Sequence, residues 1–318
     1  MGEFMSHSVS KLTLLALAAS TLALSACSEI QAQTEDRFAK VEIKTTKLAP
    51  GVAVLFGAGG NIGVSYGPDG TVLVDDQFAP LTGKIQAAVK ALGAQPTKYL
   101  INTHWHYDHT GGNENIGKTG ALIMAHDNVR VRMLGEQKTG RGNTPASPPA
   151  ALPVVTYHDG LKLHLNGDEV RTIHMHDGHT DGDSIVVWKK ANVIHMGDLF
   201  FNKVTFPFID LNSGGNVRGV LHAAEKALKL ANDDTQIIPG HGPMATKADL
   251  VAYRDMLKAV VSIVGKAKHE GKGLAQIQAM KPVAKWDNNP KAFISADKFV
   301  EAVFKSLDVK AGKKHHKH

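Results

Sequence analysis

The sequence predicts a mixed α/β (α+β) domain in which two β-sheets pack face to face with helices on the outside. Short β-rich runs gather in two groups, around residues 41–74 and 154–196, and segments of helical spacing follow each group. Between the groups, the buried-strand pattern Tyr99-Leu100-Ile101-Asn102 runs straight into a histidine-rich segment.

Each element follows from local chemistry. From Val41 to Val74 the chain alternates and turns repeatedly at Gly51, at 57–61 and at Gly67-Pro68-Asp69-Gly70, which predicts an antiparallel meander. Its last run, Thr71-Val72-Leu73-Val74, ends at Asp75-Asp76. Ile85, Val89 and Leu92 lie at helical spacing before Gly93, predicting a helix over 81–92. A strand over 121–125 and a helix over 126–134 come next. The Gly-, Pro- and Thr-rich stretch 136–153 reads as a disordered connection or a long loop over a site. Strands are expected at 154–157, 161–165, 169–175, 184–188, 193–196 and 236–238. Helices are expected at 218–230, 247–268 and 294–307.

The N-terminus carries different information. Met1-Gly2-Glu3-Phe4 precede a second methionine and look like a vector scar. From Met5, a polar start with Lys11 leads into an apolar run over 12–19 that is too short to span a bilayer, as in a secretory signal. Leu24-Ser25-Ala26-Cys27 resembles a bacterial lipobox, which predicts lipidation at Cys27, a membrane anchor and a periplasmic location; an ordinary cleaved signal is the other reading. The expected organisation is signal 1–27, tether 28–40, one large domain 41–308 and a basic tail 309–318. Cys27 is the sole cysteine, so the mature fold has neither an internal disulfide nor a thiolate ligand. Any metal must be held by His, Asp or Glu. The formal charge of +6 owes most to Lys310, Lys313, Lys314 and Lys317, so no basic face for nucleic acid is expected. No protein partner is predicted, and His315, His316 and His318 are given no role.

His104-Trp105-His106-Tyr107-Asp108-His109 places four potential ligands in six residues. In an extended segment His104, His106 and Asp108 would leave on one side and His109 on the other, so one loop could feed two metal ions. His179 lies in a glycine-flanked turn before a strand, Asp198 at a strand end, and His241 in Pro239-Gly240-His241-Gly242 after another strand. Strand ends meeting glycine and a ligand-type residue are where open sites form. Imidazole and carboxylate suit zinc. His126, His158, His164, His222 and His269 show no ligand-like neighbours and read as structural or exposed. His174, His176 and His195 read as packing, with hydrogen bonding behind the ligands as the alternative. Asp75 is the better such candidate of the Asp75-Asp76 pair.

The series His104-x-His106-x-Asp108-His109, then His179, Asp198 and His241, resembles the metallo-β-lactamase superfamily pattern over residues 41–257. The resemblance implies a four-layer αββα sandwich with a two-zinc site at one edge. Position by position, it implies that His104, His106 and His179 hold the first zinc. Asp108, His109 and His241 would hold the second, and Asp198 would bridge them. A hydroxide between the ions would attack an amide or ester carbonyl of a small-molecule substrate, with Asp108 orienting it.

Three functions remain open. The leading one is β-lactam hydrolysis, favoured by the expected periplasmic location. The second is a periplasmic lactonase, esterase or thioesterase. Family β-lactamases usually carry Cys or Ser at the Asp198 position, whereas aspartate resembles the glyoxalase, lactonase and general hydrolase branches. The third is a metal-binding accessory protein of a periplasmic oxidation system. His106 argues against the diiron flavoprotein branch, which has glutamate there. Phe200, Phe201, Asn202 and Lys203, then the segment 206–216, are the candidate substrate-binding residues, with Lys203 either meeting a substrate carboxylate or being an ordinary surface lysine.

Overall fold

The β-rich run that opens the domain folds as an antiparallel meander of β1 (Lys44–Ala49), β2 (Val52–Phe56), β3 (Ile62–Ser65) and β4 (Thr71–Val74). The computed structural model describes residues 37–139, 142–289 and 291–308. Cys27, most of the expected tether and the 309–318 tail lie outside the described residues. The chain divides into a short unit ending at Glu42 and a main unit that starts at Ile43.

After β4 the topology changes from antiparallel to parallel. Helix α1 (Thr82–Ala91) carries the chain back to β5 (Thr97–Ile101), which pairs parallel with β4. The short helices α2 (Tyr107–Thr110) and α3 (Asn113–Gly117) lead to β6 (Leu122–His126), parallel again, followed by α4 (Asp127–Leu134). The stretch 136–153 is not one long loop. It contains a hairpin of β7 (Gln137–Thr139) and β8 (Gly142–Thr144), then a helical turn at Pro149–Ala151. Three-residue strands of polar residues carry no apolar alternation, so the sequence pattern could not register them. Ala151 and Leu152 at its end are buried with Trp105, Ala125, Val129 and Met133. Strand β9 (Val155–Tyr157) then completes a seven-stranded sheet ordered β1-β2-β3-β4-β5-β6-β9.

The second sheet runs in sequence order: β10 (Lys162–Leu165), β11 (Asp168–His174), β12 (Ser184–Trp188), β13 (Val193–His195) and β14 (Gln236–Ile238). Its pairs are antiparallel until β13 and β14, which are parallel and joined through helix α5 (Val217–Leu230). Strand alternation sorts the residues of this sheet between two cores. Val186, Trp188, Val193 and Ile238 face inward and pack with Val52, Val54, Val72, Val74, Ile101 and Met124 of the first sheet. Ile185, Ile194 and Ile237 face outward and join the buried faces of α5, α6 (Lys247–His269) and α8 (Ala296–Ser306). On the first sheet the alternate residues Leu73, Leu100 and Ile123 are buried on the opposite face, as are Ile85 and Val89 of α1. The result is an αββα sandwich, the architecture the sequence predicts.

Local signals set the helix ends. Thr246 and Asp249 form a capping box at the start of α6, each side chain meeting the other's backbone N–H. The short helix α7 (Leu274–Ala279), absent from the sequence reading, buries only Ile277 and so lacks a readable stripe. No helix among the described residues is long and apolar enough to cross a membrane.

The C-terminal helix is an integral layer. Phe299 is fully buried and stacks on Phe206 at 5.2 Å between centroids. Phe299→Ala is expected to lower the unfolding free energy in urea by about 3–5 kcal/mol, the usual cost of emptying a large aromatic site. A loss below about 1 kcal/mol would mean that α8 does not share the cooperative core.

Candidate metal centre

The seven ligand-type residues singled out in the sequence converge at one edge of the sandwich, where strand ends of both sheets meet. Strand β5 ends at Ile101, and the chain bends through Thr103 to His104. The spacing predicts one extended segment for His104, His106 and Asp108, but the structure turns the chain after His106. His106 caps α2, and its carbonyl accepts the amides of His109 (3.0 Å) and Thr110 (3.1 Å). One helical turn therefore sends Asp108 and His109 toward His241, with the His109 ring still 4.2 Å from that of His104 between centroids. From the second sheet come His179, on the β11–β12 turn, Asp198, just after β13, and His241, just after β14.

Two groups result. His104, His106, His179 and Asp198 place one ligand atom each within 4.8 Å of one another, and so do Asp108, His109 and His241. In the first, His179 Nε2 lies 2.8 Å from His106 Nδ1. In the second, His109 Nε2 lies 3.3 Å from His241 Nε2, and Asp108 Oδ2 lies 3.2 Å from His241 Nε2. Asp198 spans both. Its Oδ1 is 3.0 Å from His109 Nε2 and 3.3 Å from His241 Nε2. Its Oδ2 is 3.5 Å from His179 Nε2 and 3.8 Å from His104 Nε2.

Hydrogen bonds behind the rings determine which nitrogen faces inward. Thr103 Oγ1 donates to Asp75 Oδ2 (2.8 Å), so it accepts from His104 Nδ1–H (3.0 Å) and leaves Nε2 bare. His109 Nδ1–H donates to the same Asp75 oxygen at 2.7 Å. His179 Nδ1–H donates to the Phe208 carbonyl at 2.7 Å. His106 is the exception in geometry: its Nε2–H donates to Asp210 Oδ2 (2.9 Å), so Nδ1 faces inward. Ser213 Oγ also donates to that Asp210 oxygen at 2.6 Å.

The chemistry of this set fits a metal ion. His104 Nε2 and Asp198 Oδ1 are buried without a hydrogen-bond partner. Inward imidazole lone pairs about 3 Å apart repel unless a cation or proton lies between them. Burial opposes charge on Asp198, but His109 and His241 outweigh it and hold the carboxyl well below the usual range. Burial also opposes charge on His241, yet Asp198 and Asp108 raise it to about 9. Burial pushes His179 down to about 4 and His104 well below its ordinary value. His104 and His179 are thus neutral while His241 is held charged beside ionised Asp198 and Asp108, and the site calls for positive charge at its centre. An N/O set of this kind suits zinc.

Glycine makes the close approach possible. A Cβ on Gly60 would sit 2.1 Å from His109 Cε1, and one on Gly240 would sit 2.2 Å from Asp198 Oδ1. Asn61, beside Gly60, clips the His241 loop by donating to Pro239 O (2.8 Å) and Gly242 O (2.9 Å). Its own carbonyl accepts His195 Nε2–H at 2.9 Å, so His195 braces this loop. His174 Nδ1–H donates to Asp183 O at 2.8 Å, away from the ligand nitrogens.

The expected substrate residues divide. Phe201 stacks on His241, with centroids 5.3 Å apart and planes at 10°. Asn202 is buried and donates to the carbonyls of Pro243 (3.0 Å) and Met244 (3.3 Å), so its amide braces the His241 loop. Lys203 pairs with Asp249 at 2.7 Å, which commits its ammonium to the start of α6. The structure therefore engages Asn202 and Lys203 elsewhere than at a substrate. Asp210 and the Phe208 carbonyl, in the stretch read as a pocket loop, instead hold His106 and His179. No sequence signal marks Asp210, because it is 104 residues from the ring it orients. Nor is His126 without ligand-like neighbours: it lies with Asp127 and His158 in a third group.

Because Asp210 alone turns His106 Nδ1 inward, Asp210→Ala is expected to weaken zinc retention about 10–100-fold in chelator competition, with the circular dichroism spectrum unchanged. Unaltered retention would show that the His106 ring is oriented by packing alone.

Residues 56–241, more than half of the chain, match the family model described as the metallo-beta-lactamase superfamily. Type 2 metallo-beta-lactamase from Bacillus cereus is 26% identical over 190 residues, 59% of this chain and 69% of that protein. Hydroxyacylglutathione hydrolase from Rhodospirillum rubrum is 31% identical over 123 residues, 38% of this chain and 41% of that protein. A beta-lactamase-like protein 2 homolog from Caenorhabditis elegans is 26% identical over 182 residues, and the match spans about half of that protein, 53%. Among solved structures, a metallo-beta-lactamase from Pontibacter korlensis superposes with a TM-score of 0.56 at 18% identity, covering 68% of this chain and 99% of that one. A sec-alkylsulfatase from Pseudomonas sp. superposes with a TM-score of 0.60 at 14% identity, covering 83% and 50%. These two likenesses are of fold. With its family motif matched from the second strand through His241, the chain belongs to the metallo-beta-lactamase superfamily, whose members are metal-dependent hydrolases.

Proposed function

We propose that this chain is a two-zinc hydrolase that opens a carbonyl substrate, with β-lactams as its first substrate class. The observation that carries the reading is the division of Asp198, whose two oxygens face two separate histidine groups. His104, His106 and His179 would hold one zinc, Asp108, His109 and His241 the other, and Asp198 both. Zinc bound there supplies Lewis acidity for the carbonyl and lowers the pKa of water.

The residues themselves account for the rest. His104, His109 and His179 are sealed, while Asp108 is 33% and His241 25% accessible, so substrate approaches across those two side chains. Burial opposes charge on Asp108, but His109 and His241 hold its carboxyl down to about 2. A carboxylate that acidic stays ionised at neutral pH. It orients the attacking water by accepting its hydrogen bond but is a poor store for the proton, which must leave to solvent or the departing group. The β7–β8 hairpin meets the histidine segment through Trp105 and Tyr107, which line a small cavity of about 30 Å³ with Gln137, Thr144 and Arg132.

The match to the Bacillus cereus enzyme and the expected export favour β-lactams. The aspartate at 198 and the match to hydroxyacylglutathione hydrolase favour a second reading, a thioester or lactone substrate. Purified protein with its zinc counted, assayed on a β-lactam, a lactone and a thioester with and without chelator, separates them. Chelator-sensitive β-lactam turnover is expected, with kcat reduced about 100-fold or more in Asp198→Asn. Turnover of the thioester or lactone alone would install the second reading. Chelator-sensitive turnover of none would overturn both.

The sequence also supports a lipid anchor at Cys27 on an exported, periplasmic chain. In a bacterial host, the protein is expected in the membrane fraction with labelled fatty acid incorporated, and Cys27→Ala is expected to remove the label. Label retained in Cys27→Ala would overturn the anchor.

A further inference from the structure

A second histidine cluster lies apart from the seven residues of the main centre. It forms where β6 and β9, parallel neighbours, end together: His126 closes β6, Asp127 opens α4, and His158 follows β9. We propose that His126, Asp127 and His158 form a separate site for a divalent transition-metal ion such as zinc, copper or nickel.

One ligand atom from each residue lies within 4.8 Å of the other two, and Asp127 Oδ2 is 3.7 Å from His158 Nδ1. The three differ usefully in exposure. His158 is 74% accessible and can capture an ion from solvent, Asp127 is 43% accessible, and His126 is buried. His126 is the telling member, because its Nε2 is buried with no hydrogen-bond partner. Its Nδ1 accepts the Asn128 amide at a long 3.2 Å as the cap of α4, which leaves the ring proton on Nε2; an ion on Nε2 would take the place of that proton, the ring turning to its Nδ1–H tautomer at the cost of this weak bond. Buried polar atoms are rarely left this way, and a bound ion is one of the few reasons.

The surroundings keep this ring in the form a metal binds. His126 stacks on His174 with centroids 3.5 Å apart and planes at 10°. Two stacked imidazoles at that distance cannot both be charged. His174 is itself held through Asp183 O and forms a fixed wall behind His126. Two imidazoles and one carboxylate suit borderline ions rather than magnesium or calcium, which prefer oxygen.

An ion there would staple the ends of β6 and β9 to the first turn of α4. That helix is tied to the loop carrying His179, since Asn128 Nδ2 donates to Asp181 O (2.9 Å) and Arg132 makes two bonds to the Asp181 carboxylate. The cluster therefore braces the main centre from outside without touching its ligands.

The test counts metal, not turnover, so it stands whether or not the hydrolase reading does. Full-length protein stripped of metal is dialysed against zinc, and bound zinc is measured for the natural sequence, His158→Ala and Asp127→Asn. The main centre and the tail histidines are common to all three, so only the difference matters. Each variant is expected to bind one equivalent less, and the side-chain nitrogen resonances of His126 and His158 are expected to shift with that equivalent in the natural sequence. Equal zinc counts in all three proteins, or unshifted His126 and His158 resonances at saturation, would overturn the proposal.

Discussion

A buried carboxylate that stays ionised is the constraint around which this molecule is arranged. Asp198 is 5% accessible, and its charge would be costly in that setting without compensation. Compensation comes from both sides: His109 and His241 face one oxygen, His104 and His179 the other. Those four rings come from three separate segments and from both sheets: His104 and His109 follow β5, His179 lies between β11 and β12, and His241 follows β14. To bring them within 4 Å of one carboxylate, the sandwich must hold its strand ends in fixed relation.

The inter-sheet core supplies that fixity. Trp188, Val193 and Ile238 of one sheet pack directly on Val72, Val74 and Ile101 of the other. These are the strands whose ends, or near ends, carry Asp75, His104, Asp198 and His241. Close-packed interiors transmit small displacements rather than absorb them, so core geometry becomes site geometry. Asp75 adds a local lock. Its carboxylate accepts Thr103 N and Oγ1, each at 2.8 Å, as well as His109 Nδ1, so one residue sets the entry to the histidine segment and orients a ring beyond it. A single aspartate on β4's end thereby coordinates ligands that fall in both groups.

The places where pattern and structure part have specific causes. Alternation suggests an extended His104–Asp108 segment, but a tight turn capped by His106 wins, because it satisfies the His109 and Thr110 amides locally. The 137–144 hairpin escapes notice because its strands are too short and polar for a period. Lys203 and Asn202 have the right chemistry for a substrate and the wrong neighbours, since Asp249 and the Pro243 and Met244 carbonyls engage them. His126 looks isolated in sequence because His158 reaches it only through the pairing of β6 with β9, and His174 only by stacking on it from the other sheet.

By itself the sequence determined the element order, the two-sheet sandwich and the set of seven ligand-type residues. These rest on local periodicity and on residue types clustered at strand ends, both of which are one-dimensional signals. Tertiary structure alone decided which nitrogen of each ring turns inward, that His106 presents Nδ1 through Asp210, and that Asp198 divides its oxygens between two groups. Those features depend on partners up to 104 residues apart meeting at hydrogen-bond distance, and no spacing along the chain encodes such a meeting.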